Sequence, residues 1–424
     1  MFRYYFNDEF FGSMLFDAKT QRNMALDKEC TALIRILSDP EGSDVEDVSK
    51  IQGMAGEDLK ELLGYFKSIG LLKVDLGERK LQEVDGNRLR APLRVFYDIT
   101  YACNLRCIHC FTDSGTKDAD ELSLDEKLTL AESLSDLGVH RVSIAGGEPL
   151  ICPDTIPFIE RCRELGLAVS MTTNGTLMDE KTISILNRLS LKSLTVSIDG
   201  VKEKSIGRIR GMTAFYKASD ALKLLKKSYL GGYSIKATLM KPNIDELEDI
   251  VRFAVKYGCG AVKFNCVRLD GRANENASTL GLTREEYIRT VKKIESLKQK
   301  YEGDIAVKGP LNIFSKEQYD YTHELGFGCF GGKESICIDP MGNVRPCAHF
   351  PEHFICGNVR EQSIGDIWRN SIVLKQFAEL EGNETCRSCT SYNKCRSGCR
   401  FRAYCAGDIN GIDPYCYLGV DSRC

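Results

Sequence analysis

The sequence predicts an α/β protein: a partial (β/α)6 barrel of TIM type, preceded by a winged-helix-like unit and followed by a cysteine-rich domain. Three observations carry this. Strand and helix patterns alternate between residues 91 and 310. Short strands precede helices in residues 1–90, and eleven of the 19 cysteines fall between Cys329 and Cys424, within residues 311–424.

A protein of 424 residues is long enough for two or three domains. Its 43% hydrophobic and 28% charged content is ordinary for a globular protein, and a net charge of −3 offers no attraction for nucleic acid or an anionic membrane. The N-terminus, Met-Phe-Arg-Tyr-Tyr-Phe-Asn-Asp-Glu-Phe10, lacks a signal-peptide core, and no apolar run reaches the length of a membrane span. The expected location is the cytoplasm. Thiols stay reduced there, so the cysteine density argues for metal binding over disulfides.

In the first 90 residues, Tyr4 to Phe6, Phe11 to Phe16 and Asn23 to Leu26 read as strands, with a turn from Asp17 to Thr20. A helix is predicted over Asp27 to Leu37, with Ala32, Leu33, Ile36 and Leu37 on its apolar face. Val45 to Ile51 reads as a short helix, Glu57 to Ile69 as a longer one stopped by Gly70, and Leu71 to Val74 as a strand. This order is winged-helix-like. Winged helices often bind DNA, but residues 27–75 hold eleven acidic against six basic side chains, the wrong sign for phosphate.

In the middle, strands are predicted to begin at Leu93, Arg141, Ala168, Ser193, Ser234 and Ala261. Helices are predicted over Leu124 to Leu137, Thr155 to Leu165, Asp179 to Leu189, Ala214 to Leu230, Asp245 to Tyr257 and Thr283 to Tyr301. Ser123 and Glu126 make a capping box for the first of these. Barrel enzymes place their chemistry on the loops after the strands. Cys103, Cys107 and Cys110 follow the first strand and Gly146-Gly147-Glu148-Pro149 the second. Thr172-Thr173-Asn174-Gly175 follows the third, and Ser197-Ile-Asp199-Gly200 ends the fourth. Singly, the last three are turn sequences. In successive loops beside three thiols, they point to a site.

Three thiols within eight residues can converge on one metal centre, one short of a closed four-thiolate site. A four-iron cluster so held keeps one iron open; zinc with His109 as fourth ligand, or unrelated buried thiols, are the alternatives from this stretch alone. Glycines permit close approach to the backbone. Glu148 is suited to accept hydrogen bonds from an ammonium group, and Thr173, Asn174, Ser197 and Asp199 to meet hydroxyls. Cys152, Cys162 and Cys259 read as small apolar residues. Cys266, after the sixth strand, is placed to face the cavity.

The Cys-x3-Cys-x2-Cys spacing resembles the radical S-adenosylmethionine (SAM) enzymes. The resemblance implies a [4Fe–4S] cluster on Cys103, Cys107 and Cys110 that cleaves SAM to a 5′-deoxyadenosyl radical. It implies SAM binding by Gly146, Gly147, Glu148 and Pro149 at the amino group, and by Thr173, Asn174, Ser197 and Asp199 at the ribose and carboxylate. Arg210 resembles the family arginine near the carboxylate, a surface arginine being the plain alternative. His109 takes the position beside the adenine.

The C-terminal run Cys386-x2-Cys389-x5-Cys395-x3-Cys399, with Cys416 and the upstream Cys329, Cys337 and Cys347, resembles the SPASM extension of peptide-modifying radical SAM enzymes. The resemblance implies two auxiliary [4Fe–4S] clusters. Cys329, Cys347 and Cys399 share one, with Cys337 as candidate fourth ligand or else an open iron. Cys386, Cys389, Cys395 and Cys416 share the other. A pair of zinc ribbons is the non-family reading. Cys356, Cys405 and Cys424 are left over; Cys356 and Cys405, with Cys266, are candidate hydrogen donors. Sulfatase maturases share this architecture but carry Asp where this sequence has Ala348, followed by His349, which argues for another reaction.

The first 90 residues resemble the PqqD-like recognition element of peptide-modifying pathways through Phe11-Gly-Ser-Met-Leu-Phe-Asp-Ala18, the Leu26-Asp27 helix entry and Ile69-Gly-Leu-Leu72. That family binds the leader of a precursor peptide as an added strand; the alternative is a structural cap for the barrel. The combined expectation is an oxidoreductase that modifies a ribosomally made precursor peptide, forming a thioether or carbon–carbon cross-link, with flavodoxin or ferredoxin as electron donor. The alternatives are a SAM enzyme acting on a small molecule such as a tetrapyrrole, a peptide epimerase, and a non-enzymatic Fe–S redox sensor.

Overall fold

The computed structural model describes residues 4–9, 11–17, 19–38, 56–71, 76–78, 88–310 and 329–416. Strands β1 (Tyr4–Glu9), β2 (Gly12–Asp17) and β3 (Arg22–Asp27) form an antiparallel meander. Helices α1 (Lys28–Ser38) and α2 (Gly56–Ile69) follow, and β4 (Gly77–Glu78) returns parallel to β1, so the sheet order is β3-β2-β1-β4. Alternation gives this sheet two buried faces. Tyr4, Phe6 and Leu15 pack with Leu33, Ile34, Leu37 and Phe66 of the two helices. From the opposite face Met14 joins the barrel core, and Phe16 stacks on His140 at 4.9 Å and 9°. The expected helix Val45 to Ile51, and the expected strand beyond Leu71, lie outside the described residues.

Contacts of the N-terminal sheet fall at the starts of barrel strands. Asn7 donates to the Gly138 carbonyl and meets His140 Nε2 at 3.1 Å, and Gln21 donates to the Ser190 carbonyl. Lys192 reaches back to the Thr20 carbonyl at 2.9 Å. The small sheet therefore docks at the end of the barrel remote from the post-strand loops.

The barrel alternates β5 (Arg94–Asp98), α3 (Leu124–Leu137), β6 (Arg141–Ala145), α4 (Thr155–Glu164), β7 (Ala168–Thr173), α5 (Glu180–Leu189) and β8 (Ser193–Ser197). It continues through α6 (Glu203–Ile209), α7 (Met212–Ser228), β9 (Tyr233–Leu239), α8 (Leu247–Lys256) and β10 (Ala261–Cys266). Short α9 (Arg272–Glu275) and α10 (Ala277–Leu280) precede α11 (Arg284–Lys300) and β11 (Ala306–Lys308). β5 to β11 lie side by side in sequence order, all parallel, so there are seven such strands where the alternation predicted six. The predicted Ser123–Glu126 capping box is formed, and Gly138 closes the same helix in the left-handed region at φ 92°. Val95, Tyr97, Val142, Ile144, Val169 and Met171 turn outward beneath the helices, each burial being worth about 1.5–3 kcal/mol. The alternate residues, among them Thr172, Ser197, Lys236 and Asn265, face an inner cavity.

The C-terminal segment does not fold apart from this sheet. β12 (Ser335–Ile338) pairs in parallel with β5, and β13 (Asn343–Arg345) and β14 (Gly357–Asn358) extend it antiparallel into a ten-stranded sheet. The expected boundary near residue 310 thus cuts through one continuous sheet. The segment ends in short helices α12 (Ile364–Asn370), α13 (Ile372–Ala378), α14 (Glu384–Arg387), α15 (Tyr392–Cys395) and α16 (Arg400–Cys405). Among the described residues no helix is long and apolar enough to cross a membrane.

Candidate functional site

The loop after β5 is fixed from both ends. Glu121 accepts from the Thr100 hydroxyl and the Tyr101 N–H, each at 2.8 Å, and the Cys103 N–H bonds the Gly115 carbonyl at 2.9 Å. Arg272 donates to the Cys107 carbonyl at 3.1 Å from its side chain and to the Cys110 carbonyl from its backbone. Held this way, Cys103, Cys107 and Cys110 all line the cavity at the strand ends. Burial raises the Cys103 and Cys107 thiols, and neighbouring thiols push the same way. Arg210 opposes this at Cys107, where its guanidinium donates to Sγ at 3.6 Å. Among the described residues no group of three His, Cys, Asp or Glu side chains is gathered as a lone metal ion requires.

Gly146 and Gly147 line the same cavity, but their need for glycine comes from the polypeptide itself. A Cβ on Gly147 would stand 2.1 Å from the Ala102 carbonyl oxygen, and one on Gly146 2.4 Å from that of Thr100. The Gly147 N–H bonds the Thr100 carbonyl and the Glu148 N–H that of Ala102, so the second loop is laid directly on the first. Glu148, expected to meet an ammonium group, already has donors within the protein. It is 0% exposed and off the cavity wall, accepting from Thr173 Oγ1 at 2.7 Å, Leu150 N at 3.1 Å and Asn174 N at 2.6 Å. Burial raises its carboxyl, and those three donors oppose the rise. Pro149 is buried as the first residue of a 3-10 turn, also away from the wall.

Thr173, Asn174 and Ser197 line the cavity. Asn174 also bonds the Asn104 side chain of the first loop at 2.9 Å. Asp199 pairs with Arg210, sits 3.2 Å from His109 Nε2 and accepts the Thr238 N–H at 2.6 Å. Burial alone pushes the Asp199 carboxyl up, yet Arg210, His109 and Thr238 outweigh it and hold the group well below the usual carboxylate range. Arg210 is therefore an inward ion-pair partner, not a surface arginine. His109 Nδ1 is buried without a hydrogen-bond partner.

Of the three candidate hydrogen donors, only Cys266 lines the cavity. Cys356 is half-buried with its thiol on the Phe354 carbonyl, and Cys405 is exposed on α16, so both stand off the wall. Cys424 lies outside the described residues. Cys162 and Cys259 are core residues as expected; Cys152 is also buried, but Lys127 donates to it at 3.7 Å. Lys236, Arg268, Arg272 and His349 line the cavity without having been singled out as site residues. His349 bonds Asp270 at 2.5 Å and packs on Phe111 at 4.6 Å. The sequence signal for Lys236 was only its alternation along β9.

In the C-terminal segment, burial pushes Cys347 to about 12, with Cys329 and Cys399 adding to the rise and Arg268 opposing it. Burial and then Cys347 raise Cys337. These four thiols are thus electrostatic neighbours. At Cys399 burial raises the thiol, but Arg402 and Arg268 bring it below its ordinary value. Cys395 is pushed to about 11 by burial, then by Cys416, Asp413 and Cys386, while the Cys389 N–H bonds the Cys386 carbonyl. Asp413 ties the two sets together, accepting from the Cys399 N–H at 2.8 Å and from Arg402. Buried thiols set beside guanidinium groups are a donor set that fits anionic iron–sulfur clusters.

Residues 97–254 match the radical SAM superfamily, and residues 329–390 match the SPASM iron–sulfur cluster-binding domain. The sequence is 28% identical over 342 residues to mycofactocin maturase MftC of Mycobacterium tuberculosis, covering 78% of this protein and 84% of the relative. It is 29% identical over 345 residues to AdoMet-dependent heme synthase of Methanosarcina barkeri, covering 77% and 96%. Streptococcus suis SuiB bound to S-adenosylmethionine superposes with a TM-score of 0.73 at 18% identity, over 97% of each protein; SuiB bound to precursor peptide SuiA gives 0.71 at 17%. This protein carries a radical SAM and a SPASM domain and is an enzyme that uses SAM, a [4Fe–4S] cluster at the radical SAM site and auxiliary [4Fe–4S] clusters.

Proposed function

We propose that this enzyme captures a ribosomally made precursor peptide on its N-terminal sheet and oxidatively cross-links it in the barrel cavity. The observation that carries the reading is the docked four-stranded sheet: its β3 edge has no strand partner among the described residues. An extended leader peptide can add there by main-chain hydrogen bonds. The MftC relative is named a maturase, and the SuiB fold matches over the N-terminal sheet as well as the barrel.

In this reading Cys103, Cys107 and Cys110 hold the catalytic cluster. Cys329, Cys337, Cys347 and Cys399 hold one auxiliary cluster; Cys386, Cys389, Cys395 and Cys416 hold the other. When bound, the catalytic cluster and SAM supply a 5′-deoxyadenosyl radical that takes a substrate hydrogen. The protein's own residues bind and orient. Gly146 and Gly147 offer backbone to the SAM amino group, and Thr173, Asn174 and Ser197 present polar groups from the next two strand ends. Asp199, kept ionised, holds Arg210 and His109 in place. Glu148 positions the third loop from behind. Flavodoxin or ferredoxin is the proposed electron donor, and the cytoplasm the proposed location.

The test compares the full-length protein with one starting at Ala91, using the precursor peptide encoded beside the gene. Both should form 5′-deoxyadenosine, and only the full-length protein should bind the peptide tightly. Equal affinity would remove the recognition role. A second reading, a small-molecule substrate such as a tetrapyrrole, is favoured by the heme synthase relative, 96% of which is covered by 77% of this protein. It gives the N-terminal sheet no substrate to hold.

A further inference from the structure

We propose that Lys236, assisted by Arg268, anchors a carboxylate of the substrate: an Asp or Glu side chain, or the free carboxyl end of a peptide. The inference rests on the peptide reading above and adds to it a chemical requirement on the residue presented to the cavity.

Lys236 sits mid-strand on β9, in register with Ser197 of β8 and Lys263 of β10, and its side chain lines the cavity. Among the described residues its ammonium has no hydrogen bond and no ion pair. The other cavity cations are engaged. Arg210 is held by Asp199, and Arg272 by Asp113 and the Cys107 carbonyl. Arg268 leans toward Cys399, leaving its Nε buried without a partner.

Two carboxylates near the cavity are engaged, Asp199 with Arg210 and His109, and Asp270 with His349; Asp98, at the end of β5, attracts Lys236 only as a charge at a distance, and burial pushes its own carboxyl up to about 7. Lys236 and Arg268 thus face one space, and among the described residues neither is paired with a carboxylate. Burial and then the Arg268 charge push the Lys236 ammonium toward losing its proton, against the pull of Asp199 and Asp98. A bound anion would relieve that cost, which for two like charges out of water is large. A carboxylate has two coplanar oxygens, enough for a point-charge ammonium and one edge of a guanidinium fork.

SAM also carries a carboxylate, so position decides between the two sources. Arg210 donates to Cys107 Sγ at 3.6 Å, on the side of the cavity where SAM is placed. Arg268 feels the charges of Cys399 and Cys347, on the side of the C-terminal thiols. Lys236 lines the same cavity as both arginines, open to a substrate beside SAM.

The experiment uses the cluster-loaded full-length protein saturated with SAM, with N-acetylglutamate as probe and N-acetylglutamine as its neutral match, followed by calorimetry. N-acetylglutamate should bind saturably and N-acetylglutamine not. Lys236→Met should weaken N-acetylglutamate by at least about tenfold, the loss of one charge-assisted contact. Lys236→Arg should retain most of the affinity. SAM affinity should be the same in all three proteins. Lys236→Met keeps the length of the stem and removes a charge that no hydrogen bond holds, so it should fold with a melting temperature close to wild type. Equal binding of the two probes, or of N-acetylglutamate to wild type and Lys236→Met, overturns the proposal. A parallel fall in SAM affinity overturns it as well, assigning Lys236 to the cofactor's carboxylate. Peptide capture on the N-terminal sheet is read separately in the same proteins; its absence would remove the peptide reading and leave the probe result standing.

Discussion

Glu148 Oε2 accepts the backbone N–H of Asn174 at 2.6 Å, and by this bond the second post-strand loop holds the third. The other carboxylate oxygen takes the Thr173 hydroxyl and the Leu150 N–H. Glu148→Gln puts an NH2 where an acceptor stood, leaving at least one of these buried donors unpaired. The expected loss is about 1–3 kcal/mol of stability, with SAM affinity down about tenfold as Asn174 shifts. Thermal melting and SAM titration of the loaded protein read both; unchanged values in the two assays would refute the bracing role.

Gly147 is a sharper test of how the cysteine loop is supported. A Cβ at this position would need space filled by the Ala102 carbonyl, at 2.1 Å from the oxygen and 2.7 Å from the carbon. Backbone must move, and the next residue is Cys103. Gly147→Ala should therefore lose the iron of one cluster, about a third of the total if three four-iron clusters are present. It should match the Cys103/Cys107/Cys110 triple alanine protein in iron content and in making no 5′-deoxyadenosine. Full iron content in Gly147→Ala would show that the loop has room to spare.

Much of the barrel was legible because its signals are local. Strand starts at Arg141, Ala168, Ser193 and Ala261 coincide with the alternation, and Ser123 meets Glu126 within one helical turn. What escaped depends on partners far apart in the sequence. Nothing in Ser335–Ile338 names Arg94–Asp98 as its neighbour, so the merging of the C-terminal segment with the barrel sheet was hidden. Glu148 carried the right chemistry for an ammonium, and only the fold shows that three donors of the protein itself already meet its oxygens. Cys356 and Cys405 were proposed as donors by subtraction from the thiol count. Subtraction says which cysteines are spare, not which face the cavity.

Docking of the N-terminal sheet should depend on pH through Glu9. Its carboxylate end accepts the Arg90 N–H at 2.9 Å, and burial pushes its pKa to about 8 from an ordinary value of 4.5. Between those values the folded state holds a proton that the unfolded state has released. Stability conferred by the protonated form is thus full below about 4.5 and declines as pH rises to about 8. Glu9→Gln mimics the protonated group and should flatten this decline. Melting of both proteins from pH 5 to 8 checks the sign; parallel profiles would exclude Glu9 as the source.

The mass of the product reports the bond formed. An oxidative cross-link removes two hydrogens from the peptide, while an epimerisation returns one and leaves the mass unchanged, or adds deuterium in heavy water. Returning a hydrogen atom requires a thiol beside the substrate radical, and of the three candidates only Cys266 lines the cavity. Burial pushes that thiol to about 12, so it remains protonated and keeps an S–H to give. The cross-linking reading nevertheless predicts that it is not used. Product formed with the neighbouring precursor peptide should be lighter by two hydrogens, should gain no deuterium in heavy water, and should form equally with Cys266→Ala. Deuterium in a product of unchanged mass in ordinary water, lost in Cys266→Ala, would instead make the reaction an epimerisation with Cys266 as donor. The same deuterium persisting in Cys266→Ala would make it an epimerisation with a donor elsewhere, and in either case the cross-link assignment falls.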